Sequence, residues 1–240
     1  MISIIIGAFN EEQRIGQSLR KIDGFLRGRS TDYEIIVVDD GSTDRTAPLV
    51  EELAHSIAGL RVIRYEKNRG KGYALRTGVL ASKGDIVLLS DADLSTPVEE
   101  LDTLQPFLSE YSIAIGSRAL ALSKIIVKQP WWRQQMGKTF NRVVKLLIMN
   151  DFNDTQCGFK LFSGETAREL FGEALIDRFA YDVEILALAK KKGYGVAEVP
   201  IIWLNDPASK VHPVRDSLKM LIDLIRIRRL IQRQATPDAF

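Results

Sequence analysis

Asp91 and Asp93 are separated by a single residue, so that their two carboxylates could act together in binding or catalysis. They follow the apolar run 86–89, which is typical of a buried strand, and Thr96-Pro97 then supplies an N-cap and a first helical residue. Two carboxylates at this spacing offer hard oxygen ligands to Mg²⁺ or Mn²⁺, and such a cation commonly carries a substrate phosphate. A solvated acidic turn would have the same composition, so the interpretation depends on what surrounds the pair.

Two further strand-like runs also end in polar residues. Residues 2–6 lead into the polar segment 7–12 (GAFNEE), and residues 33–38 lead into the acidic segment 39–44 (DDGSTD). In a parallel sheet the carboxyl ends of the strands share one edge, where ligands of open α/β sheets bind. The three clusters are therefore predicted to line one crevice.

Strand-like and helix-like segments alternate up to about residue 116. The first helix carries Ile15, Leu19, Ile22 and Leu26 on one face. The predicted strands are 2–8, 33–39, 61–65, 85–90 and 112–116, and the further helices are 44–57, 72–82 and 97–109. Such alternation favours right-handed crossovers and an α/β fold whose mostly parallel sheet has helices on both faces.

After Arg118 the alternation breaks down. The predicted helices are 131–150, one capped by Ser163, 182–193 and a basic amphipathic helix over 214–233. The predicted strands are 159–162 and 196–204. Loops are predicted over 119–130, over 151–158, which is rich in turns, and over 205–213. Irregular segments of this kind commonly carry specificity for a second substrate.

Composition narrows the class of protein. The chain has 240 residues and a net charge of +2, which is too small to argue for a nucleic-acid partner. The single cysteine, Cys157, suits a reducing compartment. The chain begins in a predicted strand, which leaves no room for a signal peptide, and no apolar run approaches the roughly 20 residues of a membrane span. We therefore expect a cytoplasmic protein that is soluble or peripheral at the membrane.

Seven motifs together carry a family resemblance. They are IIIGAFNEE (4–12), VVDDGSTD (37–44), NRGKGYALRTG (68–78), DADLSTP (91–97), GSR (116–118), DTQCGFKLF (154–162) and EVPIIWLNDPASKV (198–211). With them the chain resembles glycosyltransferase family 2 enzymes of the GT-A fold, and within that family the polyprenyl-phosphate sugar synthases, both the dolichyl-phosphate glucosyltransferases and the mannose synthases. Two positions depart from the pattern: Gly7 replaces the usual proline, and Ser95 replaces the glutamine of many mannose synthases.

The resemblance implies roles for residues on the donor side. The nucleotide base and ribose would be held by Ala8, Asn10, Glu11, Asp39 and Asp40. The donor diphosphate would be held by Asp91 and Asp93 through Mg²⁺ or Mn²⁺, with help from Lys71 and Lys210. The glycines beside Lys71 could equally form a simple strand-to-helix turn without binding a phosphate. Lys210 could equally be a lysine of the surface.

The acceptor side is implied in the same way. Arg118 and Arg133 would receive an acceptor phosphate, since guanidinium groups pair with phosphate oxygens in bidentate fashion. Arg133 could equally be a surface charge. Asp154 could orient a sugar hydroxyl, position the acceptor or cap a turn, and a dianionic phosphate acceptor needs no strong base. The implied organisation is a catalytic domain over 1–213, divided into a nucleotide-sugar half (1–118) and an acceptor half (119–213), followed by a helix and tail over 214–240.

The leading hypothesis is an inverting glycosyltransferase that moves a hexose to a polyprenyl or dolichyl phosphate. The donor would be UDP-glucose or, second, GDP-mannose. A family 2 enzyme acting on a hydroxyl acceptor is the alternative, and it would need a general base. More remote are a haloacid-dehalogenase-type phosphatase, suggested by the DADLS motif at 91–95, and a non-catalytic nucleotide-binding protein.

Two segments suit the surface of a membrane. The helix 214–233 has a broad apolar face and ends in arginines; the residues are Leu218, Leu221, Ile222, Leu224, Ile225, Arg226, Arg228, Arg229 and Arg233. Trp131-Trp132 beside a basic helix also suits a membrane interface, although paired tryptophans more often anchor a helix to a core. Packing of the C-terminal helix on the catalytic domain is an equally good interpretation of its apolar face.

Overall fold

The computed structural model describes residues 1–29, 31–205 and 213–233, with side chains in the last range from 219 to 232. The strands are β1 (Ile2–Ala8), β2 (Tyr33–Asp40), β3 (Leu60–Tyr65), β4 (Ile86–Asp91), β5 (Ile113–Ser117), β6 (Lys124–Val127), β7 (Lys160–Ser163), β8 (Val196–Pro200) and β9 (Ile202–Leu204). The helices are α1 (Ile15–Arg27), α2 (Thr46–Ala54), α3 (Lys71–Leu80), α4 (Leu101–Leu104), α5 (Trp131–Leu147), α6 (Gly164–Glu173), α7 (Tyr181–Lys191) and α8 (Pro213–Arg233).

Seven strands form one sheet in the order β3-β2-β1-β4-β7-β5-β8. All neighbouring pairs are parallel except those of β7, which runs antiparallel to β4 and to β5. The predicted α/β fold with a mostly parallel sheet is confirmed. The inserted β7 comes from the second half of the chain, so both halves build the one sheet.

Apolar residues on both faces of the sheet are buried. Ile5 lies in the cluster that also contains residues of α3, α6 and α7, whereas Ile4 and Ile6 lie in the cluster shared with α1 and α2. Successive residues of a strand point to opposite faces, so a run of consecutive buried isoleucines requires cover on both sides.

The predicted helix over 97–109 is only partly correct. Pro97 precedes the helical residues with ψ 144°, and a 3₁₀ turn (Val98–Glu100) leads into the four-residue α4. A second 3₁₀ turn (Gln105–Ser109) follows and contains Pro106, which has no N–H to donate and disfavours a helical residue before it. Thr96 makes no cap, and its hydroxyl lies 4.0 Å from Cys157 Sγ.

Two other predicted elements differ from the structure. The predicted loop over 119–130 contains β6, and the predicted strand over 196–204 is divided at Ile201 into β8 and β9. Pro200 ends β8, which is an edge strand and so tolerates a residue without an N–H. The chain then leaves the main sheet, and β9 pairs with β6 in a separate two-stranded parallel sheet.

The C-terminal helix α8 is present, and its apolar residues divide into two sets. Leu224 and Ile227 are buried in the core beside α7 and α5, whereas Leu221, Ile222 and Ile225 are exposed. Packing on the catalytic domain is confirmed for the buried set, and membrane contact of the exposed set stays a prediction. Across the described ranges, no helix has the length and apolar character that a membrane span requires.

Candidate active site

The three polar clusters meet at one edge of the sheet, as predicted. In the register of β1 with its neighbours, Gly7 lies opposite Asp91 and Ala8 lies opposite Asp39. The first residues after β1 and the acids of β2 and β4 are therefore adjacent.

Hydrogen bonds join the loop after β1 to the loop after β2. The Asn10 backbone N–H donates to Ser42 Oγ at 2.8 Å, and Asn10 Oδ1 accepts from the Thr43 backbone N–H at 2.8 Å. The Glu11 N–H donates to Thr46 Oγ1 at 2.7 Å. Asn10 has a φ of 56°, a left-handed conformation that asparagine tolerates better than most residues. These contacts fix the shape of the crevice floor.

Asp39 keeps one oxygen available inside this floor. Its side chain is fully buried, and Oδ1 accepts from the Ser42 N–H at 3.2 Å. Among the described residues Oδ2 receives no hydrogen bond, although Arg64 Nε lies 3.4 Å away as an ion-pair partner. A buried carboxylate oxygen in this state is suited to accept an N–H from a ligand.

Asp40 has a different environment. Its carboxylate accepts from the Arg69 N–H at 2.7 Å, the Gly70 N–H at 2.8 Å and Asn68 Nδ2 at 2.8 Å. Burial raises its pKa, against the effect of these hydrogen bonds. Asp40 therefore stabilises the loop that precedes α3. A contact of Asp40 with the nucleotide stays a prediction.

The glycines before α3 form a tight turn, and Lys71 reaches the acid pair. Gly70 has a φ of 113°, and a Cβ on Gly72 would collide with the backbone of Ile176. The N–H groups of Gly70 and Tyr73 are used by Asp40 and by the Asp177 carbonyl. The Lys71 ammonium, in contrast, donates to Asp91 Oδ1 at 2.5 Å. Gly70 therefore serves the turn, and Lys71 is the side chain that this segment brings to the acid pair; binding of a phosphate here stays a prediction.

Asp91 and Asp93 differ in their electrostatics. Burial disfavours the charge on Asp91, but Lys71, followed by Lys160 and Arg118, outweighs it and lowers the pKa of Asp91. Burial and then the charge of Asp91 raise the pKa of Asp93, whose Oδ2 lies 3.9 Å from Arg14. Asp93 is therefore an incompletely neutralised carboxylate.

The acid pair fits a divalent cation that keeps other ligands. Within the described ranges no group of three or more histidine, cysteine or acidic side chains could hold a metal ion. Mg²⁺ sites are commonly made from one or two carboxylates together with waters and substrate phosphates, and two partly exposed aspartates match that pattern. A cation here would also offset the repulsion that raises the pKa of Asp93.

The backbone around the acid pair is tightly constrained. Leu94 has a φ of 48°, which is an uncommon conformation for a leucine and follows a turn closed by Leu94 N–H and the Asp91 carbonyl at 3.1 Å. Gly158 approaches the Asp91 carboxylate so closely that a Cβ at this position would collide with it. The loop over 151–158 thus forms one wall of the site.

Arg118 and Asp154 form a bidentate ion pair. Arg118 donates through Nε to Oδ2 at 2.7 Å, through Nη2 to Oδ1 at 2.9 Å and through its backbone N–H to Oδ2 at 3.0 Å. Although burial works against it, Arg118 holds the pKa of Asp154 at about 2. Glu198 on β8 fixes the same loop by accepting from the Asp154 N–H at 2.8 Å. Asp154 therefore orients Arg118.

The sequence analysis missed a buried ion pair behind the site. Lys160 on β7 donates to Asp182 and to the Cys157 carbonyl, and both charged side chains are almost fully buried. The charge of Lys160 lowers the pKa values of both Asp91 and Asp154. The lysine inside the strand motif DTQCGFKLF was the available signal, because a charged residue between phenylalanine and leucine in a strand requires a buried partner.

Two predicted residues are not joined to this cluster by recorded contacts. The Arg133 guanidinium lies 5.3 Å from the centre of the Trp132 ring, near the start of α5. Lys210 lies outside the described residues. Their roles stay predictions.

The fold and the site together define an enzyme of the GT-A class, with acidic residues at the carboxyl ends of β2 and β4. Residues 3–171 match the model of the family described as "Glycosyl transferase family 2". The chain belongs to glycosyltransferase family 2, which replaces the phosphatase and the non-catalytic interpretations.

Relatives are similar to this chain over most of their own length. The dolichyl-phosphate beta-glucosyltransferase of Dictyostelium discoideum is 37% identical over 240 residues, covering 95% of this chain and 73% of that protein. The human dolichyl-phosphate beta-glucosyltransferase is 35% identical over 241 residues, covering 95% and 74%. The resemblance to the polyprenyl-phosphate sugar synthases is confirmed.

Solved structures share the fold. The mannosyl-3-phosphoglycerate synthase of Rubrobacter xylanophilus superposes with a TM-score of 0.71 at 20% identity, covering 100% of this chain and 77% of that one. A glucosyl-3-phosphoglycerate synthase of Mycobacterium tuberculosis, in complex with Mn²⁺ and UDP-glucose, gives a TM-score of 0.67 at 21% identity, covering 100% and 80%.

Proposed function

We propose that this glycosyltransferase moves glucose from UDP-glucose to a polyprenyl phosphate of the dolichyl type, with inversion at the anomeric carbon. The similarity to dolichyl-phosphate beta-glucosyltransferases, at 31–37% identity, is the observation that carries the proposal. A β-glucosyl product from an α-linked donor requires inversion, which a single displacement by the acceptor phosphate achieves.

On the donor side, the nucleotide would occupy the crevice between β1 and β2. Asp39 Oδ2, buried and without a hydrogen-bond donor in the described part of the chain, is suited to accept the imide N–H of uracil. Ala8, Asn10 and Glu11 line the same edge. Guanine also offers N–H donors, so GDP-mannose is the competing donor.

The diphosphate would bind at Asp91 and Asp93 together with Mg²⁺ or Mn²⁺. When bound, the cation supplies charge neutralisation for the departing nucleoside diphosphate. Lys71 is placed to move its hydrogen bond from Asp91 to a phosphate oxygen, because its ammonium has three donors on a flexible stem. Lys71 therefore orients the donor and adds positive charge beside the bond that breaks.

The acceptor side favours a phosphate over a hydroxyl. Asp154 accepts three hydrogen bonds from Arg118 and has a pKa of about 2, which makes it a poor general base near neutral pH. A phosphate monoester has a second pKa of about 6 and is mostly dianionic at neutral pH, so it needs no base. Arg118, oriented by Asp154, is suited to draw this dianion toward the anomeric carbon, and Arg133 is the second candidate.

The acceptor's lipid tail implies peripheral contact with a membrane. We also propose a position on its cytoplasmic face, which the single buried cysteine, Cys157, suits. No nucleic-acid partner is proposed, because the net charge is only +2.

A donor and acceptor matrix tests the proposal. UDP-glucose and GDP-mannose are each supplied with a short, water-soluble polyprenyl phosphate or with the matching polyprenol, and release of nucleoside diphosphate is measured. We expect release only from UDP-glucose with the phosphate, rising as pH passes through about 6 and level above it. Transfer to the polyprenol would support the hydroxyl-acceptor alternative, and transfer from GDP-mannose alone would overturn the donor assignment.

A further inference from the structure

One surface of the molecule combines exposed apolar side chains with positive charge. We call it the β6–α5 face, and it comprises the outward residues of the small sheet, the turn before it and the first turn of α5. Its principal apolar residues are Leu122, Ile126, Val127, Trp131, Ile202 and Leu204. The pairing of Lys124 with Ile202 and of Val127 with Leu204 brings the two strands of the face together.

The apolar character of this face is not explained by the fold. In β9, Trp203 points inward and is buried, while Ile202 and Leu204 on either side point outward. The outward face of a small sheet is ordinarily polar where it meets water. Trp131 is 76% exposed, although it is one of the largest apolar side chains. Large exposed apolar residues that cluster along 122–131 and across the β6–β9 pairing are typical of a surface that contacts something else.

The charge of the surrounding segment identifies the partner. Residues 111–150 contain seven lysines and arginines and no aspartate or glutamate. The whole chain carries 33 basic and 31 acidic residues, so the remainder of the protein is net acidic. Lys124, Lys128 and Lys138 are exposed in this segment. Tryptophan and aliphatic side chains surrounded by lysine suit the headgroup region of an anionic bilayer.

We propose that the β6–α5 face is the surface by which the protein docks on an anionic lipid bilayer. The hydroxyl of Ser123 donates to the Ser117 carbonyl at 2.6 Å and so ties the start of the face to the strand end that precedes Arg118. Docking through this face would hold the segment that carries Arg118 close to the bilayer, where a lipid-borne acceptor phosphate lies. That benefit rests on the proposed function, whereas the docking itself rests on the surface alone.

Tryptophan fluorescence locates the contact. Trp131 and Trp132 are exposed and Trp203 is buried, so a blue shift on binding reports burial of the β6–α5 face. We expect the shift with vesicles of phosphatidylcholine and phosphatidylglycerol and a much smaller one with phosphatidylcholine alone. Replacing Ile126 and Trp131 by serine is expected to weaken partitioning at least about tenfold. Lys124→Gln, Lys128→Gln and Lys138→Gln together are expected to weaken it by roughly a hundredfold at low salt.

Matched variants on other faces serve as controls. Leu80→Ser on α3, at a leucine that is 50% exposed, and Lys21→Gln on α1 are expected to leave partitioning unchanged. A triple serine variant of α8, at Leu221, Ile222 and Ile225, is expected to have a smaller effect than the two-residue variant of the β6–α5 face. Circular dichroism verifies that each variant is folded.

Three results would overturn the inference: vesicle binding that is lost only in the α8 variant, binding that is the same in all variants, or binding of nucleic acid or acidic protein without binding of vesicles.

Measurements of activity separate this inference from the proposed function. Face variants are expected to retain transfer to a water-soluble acceptor and to lose transfer to the same phosphate embedded in vesicles. A protein that docks as described but transfers sugar to neither acceptor would refute the proposed function and leave the docking surface intact.

Discussion

Asp93 is the residue at which stability and function oppose each other. Lys71 neutralises Asp91 directly, whereas Asp93 accepts from the Ser95 N–H at 2.9 Å, lies 3.9 Å from the Arg14 guanidinium and carries a raised pKa. A carboxylate whose folded-state pKa is raised makes the ionised fold less stable above its unfolded pKa. A bound cation would remove that penalty.

Asp93→Asn is expected to lower the rate of transfer by roughly a hundredfold to a thousandfold, because it removes charge from the cation site. The same change is expected to raise Tm slightly in metal-free buffer, since it removes an unfavourable charge. Transfer rates across a Mn²⁺ titration, with thermal melts in chelator, measure both effects. Glu99→Gln, at an exposed acid in the same segment, is the control. Full activity of Asp93→Asn in excess chelator would refute the metal assignment. We expect Asp91→Asn to lose a similar share of its activity.

Among single removals of a charge in this site, we expect replacement of Lys160 to lower the free energy of unfolding most, because its partner Asp182 is buried. Lys160→Met keeps the length of the side chain but leaves Asp182 buried without its cation, and we expect a loss of about 3 kcal/mol in the free energy of unfolding. Adding Asp182→Asn is expected to restore a large part of that loss, because the orphaned charge is removed. Urea denaturation of the two single variants and the double variant gives the coupling. Additive losses would show that the two side chains do not act as a pair.

At the scale of elements, the loop over 151–158 is the wall that holds the acid pair in place. Gly158→Ala would drive a methyl group into the Asp91 carboxylate, so we expect weaker Mn²⁺ dependence and at least about a tenfold loss of transfer in a folded protein. Gly137→Ala on α5 is the matched control, because its Cβ would meet no atom within 4 Å. This control is expected to keep its activity and to gain up to about 1 kcal/mol in helix stability. Equal activity of both variants would remove Gly158 from the site.

The strand ends could be predicted from the sequence because their chemistry is local. Apolar runs followed by polar or acidic residues predicted β1, β2 and β4 and the position of Asp39 and Asp91 on either side of the end of β1. What the sequence did not reveal depends on non-local partners: β6 forms because β9 lies beside it, and the roles of Asp40 and Asp154 depend on which donors reach them. Pro106 was a local signal for the end of α4 that the periodicity concealed.

At the scale of the whole molecule, α8 belongs to the core as well as to the surface. Leu224→Ala is expected to cost about 3 kcal/mol in the free energy of unfolding, because the side chain is completely buried, and Leu221→Ala less than about 0.5 kcal/mol. Urea denaturation compares them. Deleting the helix after Pro213 would therefore disturb folding together with any membrane contact, and only surface substitutions separate the two. Equal costs at the two leucines would contradict this division of the helix.

The antiparallel strand β7 decides when β4 and β5 become part of the same sheet. On the ribosome, β4 and β5 emerge before β7, yet they do not pair with each other, and β7 enters between them only after a further stretch of chain. Until residues 160–163 arrive, the edges of β4 and β5 that β7 will join are unpaired and open to other chains. The two parts of the sheet are therefore joined through contacts distant in sequence, a topology for which slower folding and a longer exposure of strand edges are expected.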